Sequence, residues 1–89
     1  MLFEMGQLVV TRGVKTRIDN DVDFANFVID SFFAKYCQGD WGDLCNEDKK
    51  MNDRAVKHND DRIVASYNDI YIITEYDRSY TTILLKSEY

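Results

Sequence analysis

"RIVASYNDIYIITEYDRSYTTILLK", residues 62 to 86, contains three β-prone runs, "RIVASY", "IYIITEY" and "YTTILLK". Asn68-Asp69 separates the first two and Asp77-Arg78-Ser79 the last two. Short polar turns between β-branched and aromatic runs predict an antiparallel meander. A two-residue turn pairs Tyr67 with Ile70, and counting outward sets Val64 opposite Ile73 and Arg62 opposite Glu75, so that register and charge agree. One face then carries Ile63, Ala65, Tyr67, Ile70 and Ile72, and the other Val64, Ser66, Tyr71 and Ile73.

Upstream, "QLVVT" at 7 to 11 is β-branched and flanked by Gly6 and Gly13, which predicts a strand followed by a polar stretch to Asp23. From Asp23 to Cys37, Phe24, Phe27, Val28, Phe32 and Tyr36 recur at helical spacing, with Asp21 and Asp23 at the positive end of the dipole and Gly39 as C-cap. Residues 46 to 58 predict a thinner amphipathic helix, with Asn46 as N-cap, Glu47 and Asp48 in the first turn, and Met51, Ala55 and Val56 on one side. The expected fold is a single α+β domain over residues 1–89: an N-terminal strand, two helices, then a three-stranded antiparallel meander, with the helices packed on one sheet face. Two short helices cover one face only. The second either stays solvated, which tyrosines tolerate, or meets a partner or a second copy in a homodimer.

Eighty-nine residues, 45% hydrophobic and 13% aromatic, suffice for one compact core but not for a core plus a deep catalytic cavity. The apolar runs are short and no basic segment leads into one at Met1, so neither a membrane span nor a signal peptide is expected, and the expected compartment is the cytoplasm. Cys37 and Cys45 have no Cys or His cluster around them, so a zinc site would lack ligands and two reduced thiols are expected. Cys37 ends a helix, where the dipole raises a thiol pKa and makes a poor redox nucleophile. The net charge of -5 argues against direct nucleic-acid binding, which needs clustered Lys and Arg. The acids are uneven: Asp19, Asp21, Asp23 and Asp30 occur with no base between Arg17 and Lys35, and Asp40, Asp43, Glu47, Asp48, Asp53, Asp60 and Asp61 outnumber the bases among them. Such a surface confers solubility, and can also steer a basic partner or imitate a phosphate backbone.

"GQLVVTRG" at 6 to 13, "GDWGDLCNED" at 39 to 48 with Asn52 after it, "RIVASY" at 62 to 67, "IITEYDRSYTTILL" at 72 to 85 and the ending "SEY" together resemble a family of small bacterial "plasmid-related" proteins. The likeness spans nearly the whole chain. It implies a setting on plasmids, phage-like elements or integrative elements, and it assigns no residue a catalytic role. Two departures stand out: Asn68-Asp69 replaces a longer glycine-containing loop, and residues 16 to 26 are more acidic.

Trp41, between Gly39-Asp40 and Gly42-Asp43, has two readings. A tight glycine turn could fold the indole inward over the sheet, or it could hold the ring outward as an anchor with Asp40 and Asp43 aimed at a partner. Around Asp77, turn chemistry accounts for most polar residues, but Arg78 does not fit it. Its guanidinium could clamp Asp40 or Asp43, or bind an outside carboxylate or phosphate. His58, at a helix end, suits the dipole and has no triad partners.

The expectation is therefore a non-enzymatic protein-interaction module of a mobile element, an acidic inhibitor of a host defence system of the anti-CRISPR or anti-restriction kind. Its partner would be a host or element-encoded protein, with no nucleic acid, membrane, metal or cofactor involved. The partner-binding candidates are Asp40, Trp41, Asp43, Glu47, Asp48, Asp60, Asp61 and Arg78. The alternative is a small metal-dependent phosphoesterase with Asp40, Asp43, Glu75 and Asp77 as carboxylate ligands.

Overall fold

The meander forms with the expected register in the computed structural model, which describes residues 2 to 89. β2 (Ile63–Tyr67) runs antiparallel to β3 (Ile70–Thr74), pairing Tyr67 with Ile70 and Val64 with Ile73. The strand β3 runs antiparallel to β4 (Tyr80–Leu85). Ile63, Ala65, Tyr67, Ile70 and Ile72 are all buried, joined on the same face by Thr74, Thr81 and Ile83.

The N-terminal strand β1 (Gln7–Val10) corrects the all-antiparallel expectation. It lies beside β4 and parallel to it, giving a mixed four-stranded sheet in the order β1-β4-β3-β2. Parallel neighbours need a crossover, and here the helical region followed by the β2–β3 hairpin supplies it.

That region also holds one more helix than expected. α1 (Arg12–Asn20) occupies the stretch read as polar chain, and α2 (Val22–Asp30) follows directly. Within α1 only Val14 is buried, so apolar periodicity is nearly absent. Its support comes from outside the segment. Thr11 caps it, and the Glu88 carboxylate accepts from the Thr11 hydroxyl at 2.6 Å, the Gly13 amide at 3.3 Å and the Leu85 amide at 2.8 Å. A negative group at a helix N-terminus is favourable, and the Arg17 guanidinium lies 3.9 Å from the Phe24 ring centre.

The helix predicted over 23 to 37 continues past α2 as a π-helical turn, Ser31–Lys35, and a 3-10 turn, Tyr36–Gln38. Phe24, Val28, Phe32 and Tyr36 repeat every four residues, slower than the 3.6 of an α-helix, and the wider π turn returns them to one face. All four are buried, with Val14, Trp41 and Ala55, in one cluster against the sheet. Gly39, left-handed at φ +83, ends the segment. α3 (Asn46–His58) has the expected limits, but Cys45 holds the N-cap position and Asn46 is the first helical residue.

The second sheet face is partly covered by the chain itself. Tyr89 packs edge-on against Tyr71, its hydroxyl accepts from Arg62 at 3.4 Å, and the Lys86 ammonium sits 5.2 Å from the Tyr71 ring centre. Ile73 and Leu84 are buried there. No helix among the described residues is long and apolar enough to cross a membrane.

The Thr11 hydroxyl, followed by the Leu85 amide, holds the Glu88 carboxyl below its ordinary pKa. Stabilisation from a lowered carboxyl pKa is complete above the unfolded value of about 4.3 and is lost as pH falls through the folded value. The difference in melting temperature between the parent and Glu88→Gln should therefore be present at neutral pH and close progressively in acid.

Candidate functional site

The bend 39 to 43 closes the free edge of the sheet. The Ser66 amide donates to the Trp41 carbonyl at 3.3 Å and the Asp43 amide to the Ser66 carbonyl at 2.7 Å, so Gly42 forms a parallel bridge with Ser66. The Asp43 carboxylate accepts from the Asn68 amide at 2.9 Å, and the Asp40 carboxylate accepts from the Gly42 amide at 3.0 Å. Two residues earlier in β2, Asn52 of α3 does the same for Val64: its amide nitrogen donates to the Val64 carbonyl at 2.8 Å and its oxygen accepts from the Val64 amide at 3.3 Å. The outward backbone groups of β2 are thus paired, and this edge cannot accept another strand.

Gly42 makes the approach possible. Its φ is +75, and a Cβ there would stand 2.0 Å from the Ser66 carbonyl oxygen. Trp41 points inward and is 3% exposed. Its ring packs against Tyr36 at 5.6 Å and Phe3 at 6.0 Å, and its N–H donates to Asp53 of α3 at 2.8 Å. The inward reading of the glycine turn is the observed one.

Arg78 does not clamp Asp40 or Asp43. Buried to 6% exposure, it donates through Nη1 to the carbonyls of Asp61 at 2.6 Å, Glu75 at 3.1 Å and Tyr76 at 3.2 Å, and through Nη2 to that of Ala55 at 3.0 Å. Ala55 lies in the last turn of α3, where carbonyls lack helical donors and the dipole is negative. The segments 39 to 48 and 72 to 85 therefore meet through α3: Trp41 binds Asp53, and Arg78 binds the carbonyl two residues on.

The other candidates, Asp40, Asp43, Glu47, Asp48, Asp60 and Asp61, are exposed. They do not form one patch. Glu47 and Asp48 occupy the first turn of α3, and Asp60 and Asp61 follow its C-terminal end. A groove of about 290 Å³ between α3 and β2 nevertheless brings Asp48 and Asp61 to the same feature. Its other lining residues are Leu44, Met51, Asn52, Arg62 and Val64. Both walls are fixed: Asn52 ties α3 to Val64, and Arg78 holds the Asp61 carbonyl while the carboxylate accepts from the Arg62 amide at 2.8 Å. The sequence reading missed Leu44, Met51, Asn52, Arg62 and Val64 as lining residues. The spacing Asp48, Met51, Asn52 on one side of α3 was the available signal.

Burial pushes the hydroxyls of Tyr36 and Tyr67 and the thiol of Cys37 above their ordinary pKa values. Cys37 is buried and Cys45 exposed, and both are free. Asp40 and Asp43 serve the β2 edge, whereas Glu75 and Asp77 lie at the β3–β4 turn. Among the described residues no three His, Cys, Asp or Glu side chains gather in a way that could hold a metal ion. Compared with known proteins, the chain matches no family model, no curated protein and no solved structure.

Two substitutions test this assembly. Both glycines have a left-handed φ; Gly42→Ala also meets the Ser66 backbone and should cost about 3 kcal/mol or more, whereas Gly39→Ala adds only a clash with the flexible Leu2 side chain and should cost about 1–2 kcal/mol. Asn52→Ala strands both Val64 backbone groups and should cost about 2–3 kcal/mol. Urea unfolding midpoints read each difference.

Proposed function

We propose that this protein is a non-enzymatic binding module of a mobile genetic element, acting in the cytoplasm as an acidic inhibitor of a host defence system of the anti-CRISPR or anti-restriction kind. A basic, partly apolar segment of the partner protein docks in the groove between α3 and β2. The observation that carries this reading is that Asp48 and Asp61, from separate elements, line the same groove as Leu44, Val64 and the exposed Met51, with Arg62 the single base among the lining residues. The apolar part of the lining supplies desolvation, and the two carboxylates select a cationic segment and speed its approach.

The remaining candidates act at longer range. Asp40, Asp43, Glu47 and Asp60 add negative potential around the groove, consistent with the net charge of -5. Trp41 and Arg78 contribute by positioning, the first by fixing the bend to α3 and the second by fixing the Asp61 segment.

The test is retention of protein from a bacterial host lysate by the immobilised chain, across a salt series, with the parent, Asp48→Lys/Asp61→Lys and a control reversal at Asp30. Retention by the parent should fall with salt and weaken by roughly tenfold or more in the double variant, and the control should behave as the parent. Capture that ignores both salt and the double reversal would exclude the groove as the binding surface.

A further inference from the structure

The two edges of the sheet are treated in opposite ways. β2 is closed by Asn52 and by the bend at Gly42, but nothing among the described residues lies along the outer side of β1, the other edge. The Gln7 and Thr11 amides donate inward to the carbonyls of Ser79 and Ile83, both at 3.1 Å. By alternation, the N–H and C=O groups of Leu8 and Val10 point outward.

We propose that two copies of this chain pair antiparallel through β1, about a two-fold axis at Val9, joining their sheets into one. Leu8 of each copy then stands opposite Val10 of the other, and every outward backbone group on both strands finds a partner. Edge strands that must stay single carry a charge, a proline or a bulge, and Met5 to Thr11 carry none of these. The side chains suit pairing as well. Leu8 and Val10 are in register with Thr81 and Ile83 on the core face, yet they remain 46% and 39% exposed, so the apolar layer stops short at an open margin.

Charge selects both the orientation and the occupant. Glu4 precedes the strand and Arg12 follows it, both exposed. Neither belongs to an ion pair among the described residues, where the pairs are Lys15–Asp19 and Arg17–Asp69. An antiparallel two-fold brings Glu4 of each copy toward Arg12 of the other, twice over. A parallel arrangement would set like beside like. The net charge of -5 opposes self-association in general, and β1 is an uncharged segment where opposite charges flank the contact.

Sedimentation velocity over a wide concentration range, with amide exchange at Leu8 and Val10, tests the proposal. The parent should pass from monomer to dimer as concentration rises, with exchange at those two amides slowing in step. Val9→Lys places like charges across the axis and should weaken association by at least about tenfold. Leu8→Pro removes an outward N–H without touching the ladder to β4 and should leave a folded monomer. Arg12→Glu should weaken pairing, and the exchange Glu4→Arg/Arg12→Glu should restore it, a rescue that only self-pairing predicts. Circular dichroism and urea midpoints establish that each variant folds. A parent that stays monomeric at every concentration overturns the proposal, as does a dimer indifferent to Val9→Lys and Leu8→Pro. Either result leaves the groove between α3 and β2 untouched.

Discussion

α3 is too polar to be held in place by apolar burial, and the arrangement of the molecule depends on how that is resolved. Of "NEDKKMNDRAVKH" only Asn52 and Ala55 are buried, and an alanine methyl contributes little area. An isolated helix of this length is marginal in water. What fixes it is a single turn of directional bonds: Asn52 to the Val64 backbone, Asp53 to the Trp41 indole, and the Ala55 carbonyl to Arg78. These three ties reach the edge strand, the glycine bend and the last hairpin turn. The bend and the turn are coupled through the helix without touching each other.

Arg78 is the costliest of these partners to place. It is a buried cation with no carboxylate beside it, and its φ of +61 is unusual for a side chain of its size. Several carbonyls and the negative end of α3 supply the compensation. Using carbonyls has a consequence for the surface. Asp61 contributes its backbone to the interior, so its carboxylate remains in the groove, and Asp43 likewise spends its amide on Ser66. The acidic segments hold the fold together through both parts: their backbone groups reach inward, and their carboxylates accept from nearby amides at the surface, as Asp43 does from Asn68 and Asp61 from Arg62.

How far the sequence could be read follows from the range of the forces involved. The Tyr67–Ile70 register was legible because a two-residue turn and strict alternation are local. The limits of α3 were legible because Glu47 and Asp48 mark one end and Asn59 the other. α1 was hidden because its stabilising groups, Glu88 and Phe24, lie outside the segment. The parallel pairing of β1 with β4 was hidden because it joins residues far apart in the chain, and a run such as "QLVV" shows no alternation to orient it. From sequence, Arg78 points to Asp40, Asp43 or an outside anion, because carboxylates are visible as residue types. Its actual acceptors are backbone carbonyls, which every residue possesses and no sequence distinguishes. Trp41 was the intermediate case: the glycines on either side announced a tight turn, but the acceptor that fixes the ring inward, Asp53, sits on another element.

The placement of the two edges gives the molecule a direction. The order β1-β4-β3-β2 sets the open strand and the groove at opposite margins of the sheet. Strands are spaced about 4.8 Å apart, so roughly 15 Å separates β1 from β2 within one copy, and about 34 Å would separate the two β2 strands of a pair joined through β1. Self-association at β1 would then leave both grooves free at the outer ends of one continuous sheet, facing separate partner segments. A bivalent arrangement of this kind gains from effective concentration when the partner is itself repeated or dimeric, and gains nothing when the partner offers a single site. Closing β2 with Asn52 and Gly42 is what makes that geometry possible. Were both edges open, pairing would not terminate at two copies but would continue from each dimer into the next.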